Sequence, residues 1–60
     1  MNLMSTEQVA EFLGVKTERV KRLARESLLM SKSEDTNGDP QFDTDEVTKY
    51  KLLAERFGGL

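Results

Sequence analysis

Residues 5–26, STEQVAEFLGVKTERVKRLARE, contain the features that decide the fold of this 60-residue chain. Ser5 followed three residues later by Gln8 forms a capping box, a pattern that begins a helix by satisfying free backbone N–H groups. Apolar residues then recur at helical spacing, and Gly14 stands where a helix ends in a left-handed conformation. We therefore predict a first helix over residues 6–13.

A second helical pattern follows a very short connection and covers residues 17–26. Helical spacing places Val20, Leu23, Ala24 and Ser27 on one side of it. The opposite side carries charged residues: Glu18, Lys21, Arg22 and Arg25. Two short helices joined by a turn that contains glycine form the helix-turn-helix pattern, with one charged face on the second helix.

The chain beyond residue 30 predicts a β-hairpin and a third helix. Two short strands over residues 31–34 and 40–42 flank the turn signal Asn37-Gly38. A second capping box, Asp43 with Glu46, predicts a helix over residues 44–57. Its apolar residues are expected to pack in the core with Phe12 and Phe42: Val47, Tyr50, Leu53, Ala54 and Phe57. Leu52 and Leu60 lie off that stripe and are expected to be exposed.

These elements predict one mainly α domain over residues 1–60, with three helices and a two-stranded β-hairpin within residues 30–42. A chain of this length has only a thin core. It contains no cysteine and no histidine, so disulfides and the usual zinc sites are excluded. It has no Gly-rich phosphate loop and little room for a pocket, so we expect no enzyme activity and no cofactor. It also lacks a membrane-spanning run and a signal peptide, so we expect a cytoplasmic protein.

Charge is distributed unevenly along the chain, although the net charge is only −2. Residues 16–25 carry five basic residues and one acidic residue, a local charge of +4. Residues 34–46 carry six acidic residues and no basic residue, a local charge of −6. Because such asymmetry locates a partner better than the total charge does, the basic segment is the candidate binding site.

The sequence resembles the excisionase-type, MerR-like winged helix-turn-helix family. Residues 5–15 contain the pair Val9-Ala10 and the run Leu13-Gly14-Val15. Residues 20–26 contain the basic cluster, and Phe42-Asp43 precedes an acidic first helical turn. The likeness covers residues 4–57. It implies a double-stranded DNA-binding protein whose second helix enters the major groove beside a hairpin wing. Members are small bacterial or phage proteins that act as recombination directionality factors or as transcription regulators.

The resemblance and the charged face together give a set of candidate DNA-binding residues: Lys16, Thr17, Glu18, Arg19, Lys21, Arg22, Arg25 and Lys32. Residues 17–19, Lys21 and Arg22 are candidates for base contact, Lys16 and Arg25 for phosphate contact, and Lys32 for contact from the wing. The alternative is a merely solvated face on which Glu18 pairs with Arg22.

Two positions depart from the family pattern. Lys16 stands where the family usually has Ser or Thr as a helix cap, and Thr17 is the alternative cap. The wing, residues 31–41, is acidic, with Lys32 as its only cation, and a phosphate backbone repels such a segment.

The acidic wing leaves two other hypotheses open. It could dock on a basic protein partner, such as a recombinase or another DNA-bound protein. Residues 35–46 also resemble an EF-hand calcium loop, but Pro40 occupies the sixth position, where a glycine is needed. A single domain of this size would bind DNA weakly, so self-association on DNA is a further expectation.

Overall fold

The chain forms short strands and helices in the computed structural model, which describes residues 2–58. The order is β1 (Leu3–Ser5), α1 (Thr6–Leu13), α2 (Thr17–Arg25), β2 (Ser31–Glu34), β3 (Pro40–Asp43) and α3 (Thr44–Arg56). The predicted helices agree with these bounds to within one residue. The fold is a small mixed α/β arrangement, and the prediction of a mainly α chain with two strands was incomplete, because β1 adds a third antiparallel strand.

The first capping box forms as predicted. The backbone N–H of Gln8 donates to Ser5 Oγ over 3.1 Å, and the backbone N–H of Ser5 donates to Gln8 Oε1 over 2.9 Å. Helix α1 ends at Gly14, whose φ of 73° is left-handed, and the N–H of Val15 then reaches the carbonyl of Ala10 at 2.9 Å. Both ends of α1 are therefore fixed by hydrogen bonds between residues close in sequence.

The sheet has the order β1-β3-β2, with β3 in the centre. Strand β1 pairs with β3 so that Met4 lies opposite Phe42. Strands β2 and β3 form the predicted hairpin, with an irregularity between Ser31 and Ser33. The five residues 35–39 join them, and Gly38 supplies the left-handed residue of this loop at a φ of 82°.

The core lies between the sheet, α1, α2 and the start of α3. It consists of eight buried apolar residues: Val9, Ala10, Leu13, Val20, Leu23, Leu29, Phe42 and Val47. Thr6 is also buried, and its hydroxyl donates to the backbone carbonyl of Pro40 over 2.7 Å. This bond ties the start of α1 to the central strand and satisfies a buried polar group that would otherwise be costly.

The start of α3 differs in one respect from the prediction. Asp43 caps the helix, but its carboxylate accepts from the backbone N–H of Asp45 at 2.8 Å, and the reciprocal bond from the Asp43 backbone N–H to the Glu46 carboxylate is not formed. Thr44 instead donates through both its backbone N–H and its hydroxyl to the carbonyl of Asn2. The N-terminal segment therefore supplies part of the cap, a contact between residues 42 positions apart.

Two aromatic residues predicted for the core are exposed. Phe57 is 82% exposed, and Phe12 is 38% exposed with the Lys51 ammonium 4.5 Å from its ring centre. Leu53 is 54% exposed, so the predicted core stripe of α3 is buried at Val47 and half-buried at Tyr50 and Ala54. Leu52 is exposed as expected, and Leu60 lies outside the described residues. A thin core cannot cover a helix of 13 residues.

The end of α2 also departs from the prediction. Ser27 was placed on the apolar side, but it is exposed and has a φ of 60°. It occupies the left-handed position that glycine usually takes after a helix.

Among residues 2–58, no helix is long and apolar enough to cross a membrane.

Candidate nucleic-acid interface

Helix α2 is oriented by two buried residues, Val20 and Leu23. Both belong to the core, so the charged side chains on the other face of the helix point away from it. The tight connection from α1 places Lys16 at the N-cap of α2, with extended backbone angles of −80° and 154°. Its side chain makes no capping hydrogen bond, and Thr17 is the first helical residue, so the prediction that Thr17 is the cap was wrong.

The exposed face of α2 borders a shallow, open depression of about 600 Å³. Val15 contributes its apolar part. The other lining residues are all charged: Lys16, Glu18, Arg19, Lys21, Arg22 and Arg25. We call these six residues the basic face. Six of the eight predicted site residues therefore come together, since each of them lies on α2 or at its N-cap.

The other two predicted residues are placed differently. Thr17 is half-buried and does not line the depression. Lys32 is exposed on β2 and belongs to the hairpin. The structure therefore does not join either of them to the basic face.

Two ion pairs modify the charge of the basic face. Lys21 Nζ lies 3.4 Å from Asp39 Oδ1, and Arg22 Nε lies 3.9 Å from Glu26 Oε2 one helical turn on. The predicted alternative, a pair between Glu18 and Arg22, is not formed, because the partner of Arg22 is Glu26. All four side chains are at least 40% exposed, so both pairs are weak and exchange readily with other ions.

The remaining cations of the basic face are available to a ligand. Lys16, Arg19 and Arg25 form no ion pair with any other side chain of residues 2–58. They are exposed, and Arg19 and Arg25 lie on the same helix as the paired cations. The face thus keeps a local excess of positive charge even with both ion pairs in place.

The acidic segment is used for turns and caps. Asp35 Oδ1 accepts from the backbone N–H groups of Asn37 at 2.8 Å and Asp39 at 3.0 Å, which fixes the hairpin loop. Residues 40–43 form a strand, and Asp43 caps α3, so residues 35–46 do not follow the course of a calcium loop. No three acidic side chains in the described part of the chain form a group that could hold a metal ion.

The sequence did not identify Asp39 as a neighbour of the basic face. It is 18 positions from Lys21, and their proximity depends on how the hairpin packs beside α2. The sequence signal for this contact was the opposite charge of residues 16–25 and 34–46, since oppositely charged segments attract each other.

Comparisons with protein-family models, curated proteins and solved structures find no match for the chain. The chemistry of the basic face is therefore what indicates a partner.

Proposed function

We propose that this chain binds double-stranded DNA through the basic face of α2, as a small winged helix-turn-helix protein. Helices α1 and α2 would be the helix-turn-helix, and the β2–β3 hairpin would be the wing. The observation that carries the proposal is the gathering of five Lys and Arg side chains in one open depression. Cations arranged in this way neutralise backbone phosphates, which supplies much of the affinity of DNA-binding proteins.

The open shape of the depression favours a large polyanion over a small substrate. A helix about 10 Å wide fits the major groove, which is about 12 Å wide. Guanidinium groups can then donate two hydrogen bonds to the edge of a guanine. Glu18 and Arg19 in the first turn, followed by Lys21 and Arg22, are the residues proposed to reach base edges. Arg25 and Lys16 are proposed to contact phosphates.

Lys16 gives a second, independent line of support. An N-cap residue usually carries a short side chain that accepts a hydrogen bond from the helix, and Lys cannot do this. Its positive charge also lies at the positive end of the helix dipole, which opposes helix formation. A residue that breaks a local rule without a gain in the fold is expected at a functional site. Contact with a phosphate gives Lys16 such a role.

The biological role proposed is that of a recombination directionality factor or a transcription regulator, acting as a binding protein and not as an enzyme. The acidic hairpin fits a basic surface of a second DNA-bound protein, such as a recombinase. Lys32 is proposed to reach the DNA backbone from the hairpin, because it is exposed on β2, an outer strand of the sheet.

Fluorescence anisotropy with a labelled pool of random duplexes at low salt tests the proposal. Replacing Arg19, Arg22 or Arg25 with Ala removes a cation from an exposed position, so binding should weaken several-fold without unfolding the protein. Lys49→Ala is the matched control, since it removes one positive charge from an exposed position of α3. Circular dichroism melting checks that each variant is folded. Unchanged affinity in all three α2 variants would overturn the proposal.

A second arm of the experiment tests the mode of binding. The same sequence is presented as duplex DNA and as duplex RNA, whose deep and narrow major groove does not admit a helix. We expect the protein to prefer the DNA duplex clearly. Equal affinity for both duplexes would show binding by charge alone and would contradict insertion of α2 into the major groove.

A further inference from the structure

Val15 is an apolar side chain beside the basic face of α2. Of the described residues that line the depression, it is the one that carries no charge. It is half-buried, since part of it packs against the core while the rest opens onto the depression. Packing in the core explains why the residue is apolar. The part that lines the depression is open to any molecule that binds there.

The backbone holds Val15 at a fixed position. Its N–H donates to the carbonyl of Ala10 at 2.9 Å, directly after the left-handed Gly14 that ends α1. The next residue, Lys16, is the N-cap of α2, and its carbonyl accepts from the N–H of Arg19 at 3.0 Å. The branched side chain of valine has few rotamers, so its methyl groups stay in place, whereas Lys and Arg side chains lose much more freedom on binding.

In the proposed complex with DNA, Val15 lies beside the base edges. The N-terminal residues of a recognition helix are the ones that contact bases in the major groove. Val15 precedes that end of α2 and lines the same depression as Glu18 and Arg19 of the first turn. The major groove presents one apolar group on an unmodified base, the 5-methyl group of thymine. Because valine has no side-chain donor or acceptor, contact with a methyl group is the readout open to it.

We propose that Val15 is a specificity-determining residue that contacts the 5-methyl group of a pyrimidine in the major groove. Thymine carries this group, and 5-methylcytosine shares it. The inference rests on the proposed function and adds to it the recognition of one base. Phosphate contacts by the cations do not depend on sequence, so a contact of this kind is what distinguishes one site from another.

Replacement of thymine by uracil tests the contact, because uracil lacks only the 5-methyl group. Duplexes that bind the wild type tightly are first selected from a random pool, and each thymine of the selected sequence is then replaced by deoxyuridine in turn. One of these replacements should weaken binding about two- to five-fold in anisotropy titrations, as expected for one methyl group returned to water. Val15→Ala should bind the thymine and the uracil duplex equally at that position.

Met4→Ala is the matched control for a purely structural effect. Met4 is also a half-buried apolar residue that packs against the core, but it lies on β1 and does not line the depression. It should keep the wild-type ratio of the affinities for the thymine and uracil duplexes, even if its melting temperature falls. Val15→Thr keeps the branched shape and turns a hydroxyl towards the open side. It should reduce the ratio even if Val15→Ala does not fold.

A second selection distinguishes the two sources of the methyl group. It uses a pool whose cytosines all carry a 5-methyl group, and single methyl groups are then removed from the selected sequence. A loss of affinity there, without a loss on uracil, would retain the contact and assign it to 5-methylcytosine.

The outcomes separate this inference from the proposed function. A wild type that binds duplex DNA but loses no affinity in either set of replacements overturns the contact and leaves the proposed function intact. A loss that persists unchanged in folded Val15 variants assigns the methyl group to another residue and also overturns the inference. A wild type that binds no duplex at all overturns the proposed function, and the inference with it.

Discussion

Lys21 Nζ and Asp39 Oδ1 lie 3.4 Å apart, so the acidic end of the hairpin contacts the basic face of α2. Their side chains are 48% and 40% exposed, and solvent screens the attraction between them. Any group of the DNA that binds Lys21 must replace Asp39 or lie close to its negative charge. In the proposed DNA complex, Asp39 therefore competes with DNA for Lys21.

Replacing Asp39 with Asn should raise the affinity for duplex DNA. The change keeps the size of the side chain and removes the charge that pairs with Lys21. An exposed ion pair contributes about 0.2–1 kcal/mol, so we expect binding to strengthen roughly two- to five-fold. The free energy of unfolding should fall by less than about 1 kcal/mol for the same reason. Anisotropy titrations at low salt and denaturant unfolding measure the two effects.

Glu34→Gln is the control for Asp39→Asn. It removes one negative charge from β2, where Glu34 is exposed and forms no ion pair with the side chains of residues 2–58. A smaller gain in DNA affinity than that of Asp39→Asn would assign the effect to the contact with Lys21. An equal gain would assign it to the net charge of the chain and contradict the competition between Asp39 and DNA.

The affinity for duplex DNA should fall steeply as salt is added. The proposed phosphate contacts are Lys16, Arg25 and Lys32, and about three such contacts give a slope of roughly −3 for log K against log salt concentration. Arg25→Ala removes one proposed phosphate contact and should make the slope less negative by about 1. Titrations between about 50 and 200 mM salt measure it. A slope near zero would exclude binding through phosphates.

The sequence predicted the parts of the fold that depend on residues close together in the chain. The capping box of Ser5 and Gln8 and the turn at Gly14 involve hydrogen bonds over three to five residues, and both form as predicted. Strand β1 was missed because three residues carry too little pattern, and it exists only through pairing with β3. The bond from Thr6 to Pro40 crosses 34 positions and could not be read from local spacing.

The candidate site shows the same division. Helical spacing placed four residues of the basic face together, and Lys16 and Arg19 were added from the charged segment and the family resemblance. The position of Asp39 depends on the packing of two elements and was not predicted. The exposure of Leu53 and Phe57 was also missed, because spacing identifies an apolar face but does not say whether the chain has enough core to cover it.

Ser27→Gly should stabilise the protein. The N–H of Leu28 donates to the carbonyl of Leu23 at 2.9 Å, and the N–H of Ser27 donates to that of Ala24 at 3.1 Å, which requires a left-handed residue at position 27. That conformation costs an L-residue about 1–2 kcal/mol, and part of this is offset because glycine is more flexible when unfolded. We expect a net gain of about 0.5–1 kcal/mol and a melting temperature higher by roughly 2–8 °C.

The reverse change at Gly14 is the control for Ser27→Gly. Gly14 has a similar φ of 73°, and nothing lies within 4 Å of an added Cβ, so Gly14→Ser tests the backbone conformation alone. It should destabilise the protein by a similar amount. A Ser27→Gly variant that melts at or below the wild-type temperature would contradict the assignment of strain to Ser27.

Lys16→Ser should raise stability and lower DNA affinity together. Ser at the N-cap can accept a hydrogen bond from the first turn of α2, which Lys16 does not do. A cap of this kind contributes about 0.5–2 kcal/mol, and removing the positive charge from the helix N-terminus adds to it. The same change removes one proposed phosphate contact, so binding should weaken several-fold. Thermal melting and anisotropy measure the two quantities on one variant.

Lys16→Ala separates the cap from the charge. Alanine removes the positive charge but cannot cap, so it should lose DNA affinity as Lys16→Ser does and gain less stability. If Lys16→Ser raises stability and lowers DNA affinity, the lysine at this position favours binding at the expense of stability. This is expected where a residue that is unfavourable at a helix N-cap serves a function. If Lys16→Ser gained stability and bound duplex DNA as tightly as the wild type, the phosphate contact assigned to Lys16 would be wrong. The basic face would then consist of α2 residues alone.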